Sequence, residues 1–431
     1  MNRVVCTGCS LLCDDIIIKS SGLFIDEVIG ACRKGKERFE SITSQNRLLN
    51  PYIRKGGELT KSNYEEGIKY AIEILQNSSK PLFYGFSTSN CETQKAAIEL
   101  AKKVNGFIDS NSSICQGKVL EKAAEKGITL SSLTEIINKS DFILFWGFNG
   151  AESIPRILNK ILFSRGKFRM TGREIKTFGI IDPVKTASFN VMGARDLALR
   201  INADEDLNLI RTLKEECCIK DKFPSKEVAG LDQEDLKRLY LNLDEAEYAT
   251  IIIGQGLLKD KKEGSPLNEL LELVQLINKK KEKGRVTVMA IGGHYNMAGF
   301  DHVALSLTGR NSGLQFLNNK LIDNQDNIVN KIEKDDFDCS FIFGTDPISH
   351  LPLELSKKLA SKPMILIENK KTASFYVSDV ILPTSITGIE SGGLAIRLDH
   401  IPIELSKVTN PPNNLLSDEE LIIKISTQIE R

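Results

Sequence analysis

Short, nearly continuous apolar runs recur along the chain, and most of them end in glycine, aspartate or proline. Segments of helical periodicity separate most of them, such as residues 64–77, where apolar positions repeat at i, i+3, i+4 and i+7 from Ile68. This alternation is typical of buried parallel strands joined by crossover helices. The predicted strands are residues 81–86, 141–147, 175–182, 248–256, 285–293, 339–347, 363–369 and 377–383, and further predicted helices are residues 92–104, about 153–163 and 415–430.

The N-terminal region has a different rhythm. Residues 14–30 alternate apolar and polar positions around a Ser-Ser-Gly turn, which predicts a β-hairpin. We therefore expect an α/β protein with a small N-terminal β-rich module followed by two Rossmann-like doubly wound domains. The expected division is the module over 1–57, a first Rossmann-like region over 58–190, a second Rossmann-like domain over 191–345, and a return to the first domain over 346–431. Ligands in such sheets bind beyond the carboxyl ends of the strands.

Composition narrows the class of protein. The 431 residues are 41% hydrophobic and 26% charged, which is ordinary for globular domains. Lys+Arg and Asp+Glu both number 57, so no net charge favours nucleic acid or an anionic membrane as a partner. No apolar stretch is long enough to span a bilayer, and the N-terminus lacks the pattern of a secretory signal. With nine cysteines, the sequence predicts a cytoplasmic protein in a reducing compartment.

Four of these cysteines form a candidate metal site. Cys6, Cys9 and Cys13 lie within VVCTGCSLLC, and Cys32 follows in GACRKG, which gives the spacing C-x2-C-x3-C-x18-C. Structural zinc usually takes its thiolates from two C-x2-C turns. A compact set of three thiolates with a distant fourth instead favours the corners of a [4Fe–4S] cluster. Zinc, or no metal, stays open as an alternative. A cluster with four thiolate ligands carries electrons, so the function requires a second centre.

Segments distributed along the whole chain resemble the tungsten- or molybdenum-bearing subunit of formylmethanofuran dehydrogenase. That subunit belongs to the molybdopterin oxidoreductases, which include formate dehydrogenase. The resembling segments are VVCTGCSLLCDDI, GACRKG, PLFYGFSTSNCETQKAAIELA, SSICQG, FWGFN, IIDPVKTAS, GGHYNMAGF, FGTDPISHLP and DVILPTSITGIESGGLAIRLDHIPIEL.

The resemblance implies a [4Fe–4S] cluster on the four cysteines and two molybdopterin guanine dinucleotides that hold tungsten or molybdenum, with the Cys115 thiolate completing the coordination of that metal. The implied reaction is the reversible two-electron reduction of CO2 to formate, for formylation of methanofuran by a partner subunit. Positions at strand ends would contact the dinucleotides, although an ordinary turn between strand and helix explains each of them equally well. These positions are Gly147, Asn149, Asp182, Pro183, Thr186, Gly254, Gly256, Asn296, Gly344 and Asp346.

The sequence departs from the family at two positions of the implied catalytic site, which comprises Cys115, Gln116 and His294. The family's thiolate ligand lies in a Cys-His-Gly stretch, and the matching histidine position is Gln116 here. The family also places an arginine two residues before the histidine of its Gly-His-Tyr-Asn segment, and that position is Gly292. Glutamine cannot titrate, and glycine offers only its backbone to the oxygens of formate.

Three interpretations follow from these departures. The chain is a working but divergent formylmethanofuran dehydrogenase subunit, a molybdopterin oxidoreductase for another small substrate, or a catalytically silent scaffold in a formyltransferase/hydrolase complex. The complete set of four cysteines disfavours the scaffold. Gln116 and Gly292 disfavour an unaltered dehydrogenase.

The resemblance also implies partners. An amidohydrolase-like subunit would carry out the formylation, and iron–sulfur subunits would deliver electrons. Formate dehydrogenases close over the pterins with a C-terminal β-barrel, whereas residues 415–430 of this chain have the pattern of an amphipathic helix. We therefore expect the barrel to come from a separate pterin-binding β-barrel subunit, and the small-molecule substrate to be CO2 or formate.

Overall fold

A computed structural model describes residues 2–22, 24–167, 172–219, 223–224, 226–259 and 262–429. The described residues separate into two units. The first contains the residues up to Ile114, His294–Leu398 and the residues from Pro402 onward. The second contains Cys115–Gly293 and Asp399–Ile401.

Strands and helices are numbered in chain order. The strands are β1 (Asn2–Val4), β2 (Ile16–Ser21), β3 (Phe24–Ile29), β4 (Tyr52–Lys55), β5 (Glu58–Lys61), β6 (Pro81–Gly85), β7 (Phe107–Ser110), β8 (Phe142–Trp146), β9 (Thr177–Ile181), β10 (Leu197–Leu199), β11 (Tyr248–Ile253), β12 (Arg285–Ala290), β13 (Leu314–Leu317), β14 (Lys320–Ile322), β15 (Cys339–Phe343), β16 (Met364–Ile367), β17 (Val380–Leu382), β18 (Gly393–Ile396) and β19 (Pro402–Leu405). The α-helices are α1 (Arg33–Glu40), α2 (Tyr64–Asn77), α3 (Cys91–Lys103), α4 (Gln116–Glu125), α5 (Leu133–Lys139), α6 (Gly150–Ser153), α7 (Asp206–Cys218), α8 (Gln233–Glu245), α9 (Pro266–Lys280), α10 (Met297–Thr308), α11 (Ile328–Glu333), α12 (Pro347–His350), α13 (Leu353–Ala360), α14 (Ala373–Val377) and α15 (Asp418–Gln428).

The first unit is built on a nine-stranded mixed sheet in the order β14-β13-β7-β6-β15-β16-β17-β4-β5. Its central strands β7, β6, β15, β16 and β17 are parallel, and antiparallel strands border them on both sides. These central strands are buried along their whole length, which explains their near-continuous apolar sequences. The strand order reverses between β6 and β15, so the rule for open α/β sheets places a ligand crevice beyond the ends of these two strands.

The second unit is built on a five-stranded parallel sheet in the order β10-β9-β8-β11-β12. The chain starts in the middle of the sheet, adds β9 and β10 on one side, and then returns to add β11 and β12 on the other. This doubly wound order reverses between β8 and β11. Helices α7, α8 and α9 contribute leucines to one continuous core with β8, β11 and β12.

Two small antiparallel sheets complete the first unit. Strands β1, β2 and β3 form the first, in which β2 and β3 make the hairpin predicted from residues 14–30. Strands β18 and β19 form the second. Hence the α/β class predicted from the sequence is confirmed, with several separate sheets.

The sheets divide the chain at other points than the predicted boundaries. The boundary after residue 57 falls inside the β4–β5 hairpin, which belongs to the edge of the nine-stranded sheet. The boundary after residue 190 separates β9 from β10, although these strands are neighbours in one sheet. Apolar periodicity identifies a strand, but it does not show which sheet the strand joins, because that depends on long-range pairing.

The segment 153–163 also differs from its prediction. It forms the end of α6 and a separate π-helix over Asn159–Phe163, with Pro155 between them, instead of one helix. Proline inside a helical pattern removes a backbone donor and interrupts the helix. None of the helices in the described ranges is both long and apolar enough to cross a membrane.

Candidate functional site

The four N-terminal cysteines converge in the first unit. Cys6, Cys9 and Cys13 lie in one loop between β1 and β2, and each is only 6% exposed. The loop closes on itself, because the Cys6 amide donates to the Cys13 carbonyl over 2.9 Å and the Leu12 amide donates to the Cys9 carbonyl over 3.2 Å. Cys32 is half-buried and immediately precedes α1.

Two glycines make room around these thiols. The Gly8 amide lies 3.4 Å from Cys6 Sγ and points a donor at the sulfur. A β-carbon at Gly35, on α1, would come within 2.9 Å of the same sulfur. The backbone therefore approaches the thiol closely from two sides.

The pKa values of the thiols suit a site that binds a positively charged metal centre. Burial, with smaller contributions from Cys13, Cys9 and Cys32, raises the pKa of Cys6 to about 12, although the Gly8 amide opposes the shift. Burial likewise raises the pKa of Cys9 to about 11. Such thiols stay protonated at neutral pH unless a metal centre compensates the charge of the thiolates. The four sulfurs, their burial and the Gly8 donor fit an iron–sulfur cluster. Among the described residues, no group of three or more His, Cys, Asp or Glu side chains meets the geometry expected around a single metal ion.

A cavity of about 270 Å³ adjoins the cysteine loop in the first unit. Thr7 and Gly8 of the loop form part of its wall. Thr88 and Gly344, which follow β6 and β15, form another part, so the cavity reaches the reversal point of the nine-stranded sheet. Its charged wall residues are Lys34, Glu37 and Arg38 of α1, Glu368 and Lys370 beyond β16, and Asp418 at the start of α15.

Several buried charges stabilise this wall. Arg47 pairs with Glu390 over 2.5 Å and also donates to the Thr384 carbonyl. Burial raises the pKa of Asp418 and also raises that of Glu368. Carboxyl groups with raised pKa values beside arginines and a cavity are characteristic of functional sites.

His294 lies in the wall of the same cavity. Its Nδ1 atom is buried and has no hydrogen-bond partner in the described part of the chain. Burial, helped by the nearby His350, Lys34 and Lys370, lowers the pKa of His294 to about 4. The imidazole is therefore neutral at neutral pH, and it can accept or donate a hydrogen bond to a ligand without carrying charge.

The other predicted cofactor residues of the first unit have different roles in the structure. Gly344 adopts a φ of +58°, and its carbonyl accepts from Thr88 Oγ1 over 2.8 Å at the cavity wall. Asp346 accepts from the amides of Ala373 and Ser374, and so secures the start of α14. Burial opposes ionisation of Asp346, but these bonds lower its pKa.

Asn296 is engaged by the protein. Its amide nitrogen donates to the Ser89 carbonyl over 2.7 Å and approaches Cys91 Sγ at 3.6 Å, and its oxygen accepts from the Ile396 amide. Asn296 therefore holds the turn before α3 against β18.

The implied metal ligand, Cys115, belongs to the second unit. It lies immediately before α4 with φ −135° and ψ −121°, and its Sγ donates to the Ile291 carbonyl at 3.5 Å. The residue after Ile291 is Gly292, so the structure brings together the two segments in which the family places its thiolate and its arginine. Gln116 is the first residue of α4 and is buried.

The glycines beyond β8 and β11 lie at the reversal point of the five-stranded sheet. Gly147 has a φ of +61°, and a β-carbon there would come within 2.9 Å of the Gly256 α-carbon. A β-carbon at Gly254 would come within 2.1 Å of the Gly147 carbonyl oxygen. The amides of Gly147 and Gly254 donate to the carbonyls of Ile181 and Trp146. Close packing of the two turns thus requires these glycines, and the two amides are not available to a phosphate.

The remaining predicted residues surround the end of β9. Asn149 Oδ1 accepts from Ser188, and Asp182 accepts from the Val184 amide in a local turn. Burial raises the pKa of the Asp182 carboxyl, and nearby Asp206 raises it further. The Pro183 carbonyl accepts from Arg200 over 3.2 Å. Thr186 Oγ1 is buried without a partner among the described residues, which makes it the member of this group best suited to a ligand.

Sequence reasoning missed most of the cavity wall. Glu368 and Asn369 are the last two residues of the predicted strand 363–369 and directly follow β16, so the strand-end rule could have found them. Arg38, Thr387 and Asp418 carry no comparable signal. They lie on α1, in the loop between β17 and β18 and on α15, which are distant in sequence and meet only in the fold.

Solved structures with a similar fold include two enzymes or complexes. The formyltransferase/hydrolase complex from Methylorubrum extorquens, determined with methylofuran, contains a chain that aligns with a TM-score of 0.67 and 16% identity over 88% of this chain and 98% of that chain. Acetylene hydratase from Pelobacter acetylenicus aligns with a TM-score of 0.72 and 13% identity over 100% of this chain and 69% of that one. At these identities the comparisons establish a shared fold.

Sequence relatives cover nearly the whole chain. One subunit of the tungsten-containing formylmethanofuran dehydrogenase 2 of Methanocaldococcus jannaschii is 27% identical over 98% of this chain and 97% of its own length. The protein of the same name from Methanococcus maripaludis is 27% identical over 99% of this chain and 98% of its own length. This confirms the resemblance inferred from the sequence segments.

Residues 47–428 match the sequence profile of the molybdopterin oxidoreductases. The match begins after the four-cysteine segment and includes every strand from β4 to β19. The chain belongs to the molybdopterin oxidoreductase family.

Proposed function

We propose that this chain is the metal-bearing subunit of a formylmethanofuran dehydrogenase-type complex. It would catalyse the reversible two-electron reduction of CO2 to formate at a tungsten or molybdenum ion held by two molybdopterin guanine dinucleotides. A [4Fe–4S] cluster on Cys6, Cys9, Cys13 and Cys32 would carry the electrons. A partner subunit would then condense the formate with the amine of methanofuran, with release of water.

The observation that carries this proposal is the convergence of four buried or half-buried cysteines beside a charged cavity. Cys6, Cys9 and Cys13 share one loop, and Cys32 reaches it from the start of α1. The cavity extends from this loop to the strand ends at Thr88 and Gly344. A cluster beside an open crevice in a molybdopterin oxidoreductase supports electron delivery to a cofactor bound in that crevice.

When bound, the pterin-held metal would supply the two-electron redox chemistry, and the chain's own residues would hold and orient the reactants. Cys115 would supply the sulfur ligand at the N-terminus of α4, where the helix dipole favours negative charge. Thr186 Oγ1 and His294 Nδ1 are buried and have no hydrogen-bond partner within the described ranges. Both atoms are therefore suited to hydrogen bonds with the dinucleotides or the substrate.

The two departures from the family predict altered handling of the substrate. Gln116 can hold a substrate oxygen through its amide but cannot relay a proton. At Gly292 no guanidinium is available to bind both oxygens of formate. Within this proposal, CO2 reduction is therefore slower than in relatives that carry histidine and arginine, or the site acts on another small substrate.

A second candidate function follows from the same two departures. The chain would serve as a catalytically silent scaffold of a formyltransferase/hydrolase complex, as the loss of both family side chains beside Cys115 allows. Four cysteines brought together in one site are unnecessary for such a scaffold, so we favour the dehydrogenase.

The proposed setting is a cytoplasmic multi-subunit complex. Its further members would be an amidohydrolase-like subunit, a pterin-binding β-barrel subunit and iron–sulfur subunits that deliver electrons. The similarity to subunits of two formylmethanofuran dehydrogenases supports this assembly.

Cysteine variants of the anaerobically purified complex test the proposal. Because partner subunits would also carry iron, each variant is compared with the wild-type complex: Cys6→Ser is expected to lose about four irons per copy of this chain, and Cys115→Ser to lose tungsten or molybdenum while the iron remains. Cys218→Ser, at an exposed cysteine that ends α7, is the matched control and should change neither. The scaffold gains support if the wild-type complex assembles with formyltransferase activity but contains neither metal.

A double substitution tests the role of the departures. Gln116→His combined with Gly292→Arg should raise the rate of formate oxidation if these positions limit the chemistry. An unchanged rate in a fully metallated complex would contradict that interpretation.

A further inference from the structure

Asp418 connects the cavity wall to the cysteine loop. It is the first residue of α15 and is buried, and its Oδ2 atom accepts a hydrogen bond from Thr387 Oγ1 over 2.8 Å. The Thr387 carbonyl in turn accepts from Thr7 Oγ1 over 3.1 Å. Thr7 is the residue after Cys6, so two hydrogen bonds separate the carboxylate from the backbone of the cysteine loop.

Arg38 ties the same groups together from the other side. Its Nε atom donates to Thr7 Oγ1 over 3.1 Å, and its Nη2 atom donates to the Thr387 carbonyl over 3.2 Å. Arg38 lies on α1, the helix that Cys32 immediately precedes. Any change of charge at the four sulfurs therefore occurs next to a buried network that ends at a carboxyl group.

The buried carboxyl groups of this network face both arginine and lysine charges, and Lys370 is the cation that acts most strongly on Glu368. Arg47 is already paired with Glu390, so Arg38 faces two further buried carboxyl groups, Asp418 and Glu368. Both residues line the cavity, which is the side from which solvent protons would reach them. The titratable and charged groups around Asp418 are Lys34, Glu37 and Arg38 of α1, Arg47, Tyr64 of α2, His294 and Tyr295, Glu368 and Lys370 beyond β16, Glu390, and Glu420 of α15.

We propose that Asp418 is a proton acceptor coupled to the electron on the iron–sulfur cluster. When the cluster accepts one electron from a one-electron iron–sulfur donor, the Asp418 carboxylate takes one proton from solvent through the cavity and forms a carboxylic O–H bond. When the electron leaves, the proton leaves by the same route. This inference rests on the proposed function, because it requires the cluster on the four cysteines.

The physical reason is charge balance in a medium of low dielectric constant. An added electron near a buried carboxylate raises the free energy of the charged form far more than it would in water. Burial already raises the pKa of Asp418, and the bonds from Thr384 and Thr387 together with the charge of Arg38 oppose that rise. A negative charge added nearby acts in the same direction as burial and favours the protonated form of Asp418.

The test is a redox titration of the cluster in the purified complex at a series of pH values, followed by electron paramagnetic resonance. Transfer of one proton with one electron makes the midpoint potential fall by about 59 mV per pH unit, which is a tenfold change in proton concentration converted for one electron. We expect a falling potential in the wild-type complex and a nearly pH-independent potential in Asp418→Asn.

Glu37→Gln is the matched control. Glu37 is an exposed carboxylate of α1 that also borders the cavity, so its loss should shift the potential without changing its slope with pH.

Thr387→Val is a second variant for the case in which Asp418→Asn does not assemble. It removes one hydrogen bond that lowers the pKa of Asp418, so the pH window of the slope should move upward.

The outcomes separate this inference from the proposed function. A complex without cluster iron would overturn both. A cluster whose potential does not depend on pH would overturn the inference alone. A slope that persists in Asp418→Asn but disappears in Glu368→Gln would also overturn it, because the acceptor would then be Glu368.

Discussion

Arg47 and Glu390 form a buried ion pair in the first unit. Their side chains are 3% and 1% exposed, and the guanidinium meets the carboxylate at 2.5 Å. Burial lowers the pKa of Arg47, and Glu390 opposes that effect. Removing one charge of such a pair leaves the other buried without compensation.

Glu390→Gln is therefore expected to lower the free energy of unfolding by about 3–5 kcal/mol. Denaturant unfolding followed by circular dichroism measures this change. Glu354→Gln, which breaks an exposed pair with Lys357, should leave stability nearly unchanged. Equal effects of the two substitutions on the free energy of unfolding would contradict a larger contribution of the buried pair to stability.

Lys176 is a second residue with an unusual environment. It is buried, and its Nζ atom donates to the Ile161 carbonyl over 2.7 Å and to the Ile137 carbonyl over 3.3 Å. Burial lowers its pKa from 10.5 to about 8. Between these two values the unfolded chain binds the proton and the folded protein does not.

Lys176 should consequently make the second unit more stable as the pH rises from about 8 to 10.5. The measurement is the denaturation midpoint of the wild type and of Lys176→Met across this range. The difference between the two proteins isolates the lysine from other groups that titrate there. A difference that stays constant with pH would refute the assignment.

At the residue scale, the sequence identifies candidate site residues only where they form a motif of short, regular spacing. The four cysteines lie within a short segment, so the motif alone identified them as candidate ligands. Glu368, Arg38 and Asp418 meet at the cavity only through tertiary structure, and no spacing in the sequence connects them.

Strands and helices were more predictable than their contacts. The apolar runs at 81–86, 141–147 and 248–256 became β6, β8 and β11, within one to three residues at their ends. The glycines that follow β8 and β11 were interpreted as places for phosphate to approach. In the structure they are places where two turns approach each other.

Gly147→Ala tests this packing at the level of the two turns. Gly127→Ala is the matched control, because Gly127 has a similar φ of +63° but nothing lies within 4 Å of the position that its β-carbon would take. Both substitutions incur the cost of a left-handed alanine, about 1–2 kcal/mol. Only Gly147→Ala adds a clash with Gly256, so it should lower the thermal midpoint clearly more. Equal losses would show that the turns do not require this close approach.

For the whole molecule, the sequence predicted the class of fold but not the partition of strands between sheets. Strands β8 and β9 join β11 and β12 in the second unit, although β6 and β7 just before them belong to the first. Each strand has the same apolar signature, so the choice of sheet depends on pairing across long stretches of chain. The cavity wall could not be predicted from the sequence for the same reason, since it combines α1, α15 and the residues beyond β16.

The central claim for the whole molecule is that this chain carries both an iron–sulfur cluster and a pterin-bound metal. Elemental analysis of the anaerobically purified complex tests it most directly. We predict that the wild-type complex contains about four more iron atoms per copy of this chain than the Cys6→Ser complex, together with tungsten or molybdenum that is lost in Cys115→Ser. A complex that assembles with its partner subunits and contains neither iron on this chain nor a pterin-bound metal would contradict the account.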